Sequence, residues 1–293
     1  MTRRHDDRPD APDARGPAPG GRPLPSLLLA AALLAPTAGV APAQTADGFP
    51  PAPALADSLE EGVTRAALRM DRARLQELER SAARAREAYP EDPWIRHHHG
   101  YALYRMALAR MAGGGPSAAD SLLARAQEVL AASAREDSIP ESFALLSTVL
   151  GIRISVDPAE RARSMGPRSQ RAMRAARAAG PENPRVWLIR GINAIHTPQR
   201  FGGGPEKAGR LLERGLALLG EQGAGTAAPG WGRAEAHAYL GRVRARQGRP
   251  EAAREHYREA LSIEPGYGWV EEELLPALED DDGGAGDASH DGG

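Results

Sequence analysis

The sequence predicts an all-α solenoid of helical hairpins with Gly/Pro-rich inserted loops, on three observations. Composition is the first: only 4% of residues are aromatic, and Ala, Arg, Leu and Glu dominate, a balance that favours helix over strand. The second is recurrence. Gly100, Gly151, Gly191 and Gly241 each mark a similar helical stretch, at separations of 51, 40 and 50 residues. Third, Pro116, Pro205 and Pro250 each precede a small residue (Ala119, Ala208, Ala253) by three positions. A proline there starts a second helix, because the first helical turn needs no backbone donor. One helix–turn–helix unit takes about 34 residues, so the surplus between markers belongs to inserted loops.

In chain order, residues 1–23 are rich in Arg, Asp, Pro and Gly and are expected to be disordered. Arg22, the Pro-broken apolar run after it and Ala41-Pro42-Ala43 read as a secretory signal cut near Ala43. Leader and signal thus occupy 1–43 and a linker 44–56, and the expected location is periplasmic or secreted, with no membrane span after cleavage. The solenoid takes 57–279. A degenerate unit over 57–90 caps its N-terminus, and "PEDPW" at 90–94 and "PENPRVW" at 181–187 mark passages between units. "GWVEEELLPALE" at 268–279 is the closing helix, and 280–293 is an acidic, Gly-rich tail expected to be disordered.

The clearest unit lies within 234–267. In "EAHAYLGRVRARQGRPEAAREHYREALSIEP" (235–265), Leu240-Gly241 is followed by Ala253, Tyr257 and Ala260, and Pro265 closes the unit. The small residues let two helices approach closely while Leu240 and Tyr257 fill the gaps. This pattern resembles the tetratricopeptide repeat, with His237 and Arg244 departing at its Trp and Tyr positions. "MGPRSQRAMRAA", "NPRVWLIRGINAIHTPQRFGGGPEKA", "GWGRAEAHAYLG" and "PGYGWVEEELLP" further resemble exported bacterial tetratricopeptide proteins that keep a Phe-Gly-Gly-Gly insert, over about residues 90–278. The resemblance implies a tetratricopeptide-type α-solenoid of four to five repeats and an export route, and brings no catalytic residue with it.

"GGGPSAADSLLARAQEVL" at 113–130 aligns without gaps on "GGGPEKAGRLLERGLALL" at 202–219, which an internal duplication of a structural connector explains. Three glycines before a helix also offer amide donors to an anion, although Pro116 and Pro205 each remove one. His97-His98-His99 cannot converge on one metal, because consecutive helical residues point about 100° apart; a partner such as His196 would be needed. No H-E-x-x-H, G-x-S-x-G or G-x-x-x-x-G-K-[ST] pattern is present, so neither an enzyme nor a cofactor is expected. Glu271-Glu272-Glu273 and Asp280-Asp281-Asp282 read as a solvated face and tail. There is no Cys, hence no disulfide or thiolate site. Net charge is −2, which points to no nucleic acid, while residues 44–270 hold 32 basic against 26 acidic side chains.

Solenoids of this type bind extended partners on a concave face built by their first helices. Counted from the marker glycines, the groove positions are Trp94, His97, Tyr101, Tyr104 and Arg105, then Thr148, Ile152 and Ser155. Leu188, Ile192 and His196 follow, then Ala238, Arg242, Ala245 and Arg246. The floor runs from an aromatic end through an aliphatic middle to an arginine end. Aromatic anchors beside Arg suit a protein or peptide with an acidic group, held by Arg105, Arg242 or Arg246. The same tyrosines and aliphatics would equally serve as packed core. A carrier of a small molecule or anion, using the Gly-rich loops or the histidines, is the alternative; a hydrolase with a spatially assembled site is the third.

Overall fold

A computed structural model describes residues 49–221 and 231–279. The leader, the signal and the tail beyond Glu279 lie outside the described residues. In order these form α1 (Ala52–Leu68), α2 (Arg72–Ala88), α3 (Pro93–Glu136), α4 (Pro140–Val156), α5 (Pro158–Ala179), α6 (Pro184–His196), α7 (Pro205–Glu221), α8 (Arg233–Arg246) and α9 (Pro250–Ile263). A last helix, α10 (268–279), contains a π turn at Val270–Leu274. Among the described residues there is no strand, and no helix is long and apolar enough to cross a membrane.

Helix starts follow the punctuation. Pro93, Pro140, Pro158, Pro184 and Pro250 stand in the first helical turn. Asp71, Asp92, Asp157 and Asn183 accept backbone N–H groups of the turns they open, so donors that helix geometry leaves unpaired are satisfied. Successive hairpins pair α1 with α2, α4 with α5, α6 with α7 and α8 with α9. α3 supplies both arms of its own hairpin, because Gly115 (φ 68°, ψ −176°) breaks the helical path just before Pro116.

The marker glycines divide into two kinds. A Cβ at Gly100 would lie 2.7 Å from Leu130, one at Gly191 2.6 Å from Leu212, and one at Gly241 would overlap the Tyr257 ring. Those three permit close helix approach, as their spacing predicts. Gly151 does not: nothing lies within 4 Å of a Cβ there, and the residue is exposed. One turn earlier, Ser147 makes that approach instead, its Oγ 3.1 Å from Ser169 Oγ across the α4–α5 contact. Gly241→Ala is therefore expected to lower stability by about 1–3 kcal/mol through overpacking. Gly151→Ala is expected to raise it by up to about 1 kcal/mol, since Ala is the better helix former. Urea unfolding of the two variants checks the contrast.

The two ends of the solenoid meet. Arg69, capping α1, donates to Glu264 beyond α9 at 2.9 Å, and Met70 lies against Gly268, where a Cβ would come within 2.8 Å of its sulfur. Leu68 shares a buried cluster with Tyr267 and Val270. Glu60, inside α1, accepts the Trp231 N–H at 3.4 Å. The first hairpin thus reaches the last, and the concave face closes on itself around a central cavity.

Candidate functional site

The cavity has a volume of about 1270 Å³. Its walls come from the inner faces of α3, α4, α6 and α8, with α1, α2, α5, α7 and α10 completing the rim. The apolar lining includes Leu145, Leu188, Ile189, Ile192 and Leu211, and the aromatic lining Tyr101, Tyr104, Phe201, Trp231, Tyr239, Tyr267 and Trp269. Tyr101 is stacked on Trp231, with ring centres 5.4 Å apart and planes at 21°. Between α4 and α6, Thr148 donates to the Asn193 side-chain oxygen at 3.0 Å.

Charge is unevenly distributed. Arg72, Arg105, Arg177, Arg190, Lys207 and Arg242 line the cavity, against Glu235 and Glu273. Arg105 is spent within the protein: it donates to Glu235 at 3.2 Å and to the Tyr101 hydroxyl at 3.3 Å. Arg72, Arg177, Arg190 and Arg242 make no ion pair with a carboxylate among the described residues. Arg190 rides over the Trp187 ring at 4.2 Å and Arg242 over Trp269 at 5.7 Å. Burial, then the neighbouring Arg177, pulls the Arg190 guanidinium below its ordinary pKa; burial and Arg246 do the same to Arg242. Like charges gathered beside low-dielectric walls make the cavity attract an anion.

Ten of the sequence-selected groove residues line this cavity: Tyr101, Tyr104, Arg105, Thr148, Ile152, Ser155, Leu188, Ile192, His196 and Arg242. Tyr101 and Leu188 do so as packed core, at 1% and 0% exposure, so their inner edges form wall and not anchor. Burial raises the Tyr101 hydroxyl to about 12, which keeps it protonated. Three residues are corrected. Trp94 stands at the start of α3, outside the cavity, stacked on His98 at 6.0 Å. His97 is wholly enclosed at the α3–α4 contact, its Nδ1 2.8 Å from Ser142 Oγ, because the N-terminal turn of α4 covers that end of α3. Arg246 is exposed and reaches the Ile195 carbonyl at 3.4 Å.

Counting along first helices missed the cavity residues that other elements supply. Arg177 and Met173 come from α5, Phe201 and Lys207 from the long connector and α7, Tyr267 and Trp269 from the chain around α10. The connector is part of the site, but not as an anion cradle. Its amides are used internally: Gly202 donates to Gln199, Gly203 to Pro198 and Gly204 to Ala194, while the Lys207 ammonium donates to the Gly202 carbonyl at 2.6 Å. Nor do the two aligned Gly-Gly-Gly-Pro copies share a structure. The first bends α3 at Gly115; the second follows a short 3-10 turn (Gln199–Phe201) that Pro198 starts.

The histidine triplet is structural. Burial lowers the His97 pKa to about 3; burial and then His97 hold His98 well below its ordinary value. His99 is lowered by burial, opposed by its bond to Glu79. No group of three or more His, Asp or Glu suited to a metal ion occurs among the described residues. His196 is a different case: it lies on the cavity rim, its pKa lowered by burial and by Arg242 and Arg246. A histidine with a depressed pKa stabilises the fold above its unfolded pKa of 6.5, and that contribution is lost as pH falls toward the folded value. Between pH 7 and pH 5, His97 alone is expected to cost about 2 kcal/mol of unfolding free energy. Urea titrations at the two pH values check this, with His97→Gln flattening the dependence.

No curated protein matches the chain. A solved structure described as the HusA haemophore from Porphyromonas gingivalis matches at 26% identity and a TM-score of 0.52, over 66% of this chain and 94% of that one. A second, the MamA RS-1 ArsTM double mutant, matches at 16% identity and a TM-score of 0.30, over 73% of this chain and 97% of that one. The tetratricopeptide repeat family model matches residues 234–267, the α8–α9 hairpin with its flanks. Mostly helical and without a strand among its described residues, the chain carries a tetratricopeptide repeat, a fold that generally serves as a non-enzymatic interaction scaffold.

Proposed function

We propose that this protein is an exported, non-enzymatic binding protein whose central cavity takes a large, flat, carboxylate-bearing molecule of the haem class. One observation carries the reading: an aromatic and aliphatic cavity of about 1270 Å³ that holds arginines without carboxylate partners. Ordinary pockets for small organic ligands measure about 300–1,000 Å³, so the space suits a ligand larger than a simple metabolite. Apolar walls fit a macrocycle, and Arg190 and Arg242 fit its acid groups through charge-assisted hydrogen bonds. The likeness to a haemophore, at 26% identity over 94% of that chain, supports the same class. Arg22, the apolar run and Ala41-Pro42-Ala43 support export.

A second reading, an acidic peptide in the same cavity, is favoured by the tetratricopeptide repeat at 234–267. The contacts of Arg69 with Glu264 and of Met70 with Gly268 weigh against it, because they close the trough along which an extended chain would run. Titrating haem into the full chain while following tryptophan fluorescence separates the two. Trp231 and Trp269 line the cavity, so saturable quenching at one ligand per chain is expected. Absence of quenching, with binding of an acidic peptide instead, would replace the first reading by the second.

A further inference from the structure

Resting on the haem-class reading, we propose that His196 ligates the iron of the cavity's ligand from the rim, and that Phe201 covers the same macrocycle at the mouth. Among the described residues lining the cavity, His196 is the one imidazole; His97, His98 and His99 are sealed in the core, and His237 faces His256 elsewhere. Imidazole nitrogen is a common axial ligand of haem iron, and a partner for it needs to be both reachable and fixed. His196 is reachable, being exposed on the rim, and its backbone is held where it ends α6 against a tightly built loop.

That loop explains the glycines that follow. Gly202 and Gly204 take φ values of 79° and 102°, which disfavour any side chain, and a Cβ at Gly203 would overlap the Thr197 carbonyl. Gly204 donates back to Ala194 at 2.8 Å, tying the loop to the last turn of α6. The result is a rigid platform that holds Phe201 at the cavity edge with 71% of its surface in water. Arg200 lies over its ring at 4.9 Å, and the remaining exposed surface, in the same lining as His196 and Arg242, offers an occupant a stacking face.

The test titrates ferric haem and metal-free protoporphyrin IX separately into the full chain, as wild type, His196→Ala and Phe201→Ala, with absorption spectra and circular dichroism. Both residues are exposed, so both variants are expected to stay folded. His196→Ala should shift the Soret band and weaken haem by about tenfold or more, while leaving the metal-free porphyrin unchanged, because only the iron bond is lost. Phe201→Ala should weaken both porphyrins alike, by about threefold to tenfold, without changing the haem spectrum. An unaltered haem spectrum and affinity in His196→Ala would overturn the iron ligation while leaving the cavity reading intact. Failure of the wild type to bind either porphyrin would overturn both.

Discussion

Replacing either Arg105 or Glu235 by Ala is expected to cost about 3–5 kcal/mol of unfolding free energy, the usual penalty for stranding one partner of a buried ion pair. The side chains are 13% and 5% exposed and 3.2 Å apart, on helices α3 and α8 that are distant in sequence. Glu235 also accepts the Gly232 N–H at 3.1 Å, so its loss uncaps α8 as well. Arg105 bonds the Tyr101 hydroxyl, which stacks with Trp231. Burial opposes the charge on Arg105, but Tyr101 and Glu235 more than offset it, and its pKa lies above the ordinary guanidinium value. Since the penalty comes from the stranded charge, the double variant Arg105→Ala/Glu235→Ala should lose less than the sum of the single variants. Urea unfolding of the four proteins supplies the cycle. Additive losses would mean that the two side chains do not act as a pair.

Reversing the cavity charge with Arg190→Glu/Arg242→Glu is expected to lower haem affinity by about 100-fold or more, because two charge-assisted bonds to carboxylates are worth about 1.5–3 kcal/mol each. Neither arginine pairs with a carboxylate among the described residues, and each sits near a like charge, Arg177 or Arg246. The substitution therefore removes repulsion from the empty protein, and the fold is expected to persist. Fluorescence titration compares the variant with wild type. An affinity change of less than about threefold would mean that the arginines do not meet the ligand's acid groups.

The hairpin architecture was legible because its causes are local. Proline at a helix start, Asp or Asn before it, and glycine opposite Tyr257 or Leu212 each leave a short-range mark that periodicity reveals. The inner-helix part of the cavity was legible for the same reason, through Tyr104, Ile152, Ile192 and Arg242. Gly151 misled, because a glycine in the right stretch carries no sign of whether anything packs on it; Ser147, a turn earlier, was the contact. His97 misled because its inward position is covered by α4, a fact of tertiary packing. The closing of the ring by Arg69, Met70 and Gly268 depends on superhelix curvature, which no single repeat encodes. Without that closure Trp269 reads only as part of a closing helix, and the groove reads as a peptide trough.

Amide hydrogen exchange of the full chain with and without haem tests the central claim most directly. Slowed exchange is expected in α4, α6 and α8, whose inner faces line the cavity, with α9 unchanged because none of its residues reaches the lining. No slowing in those helices, or slowing confined to α9, would contradict a ligand held in the cavity.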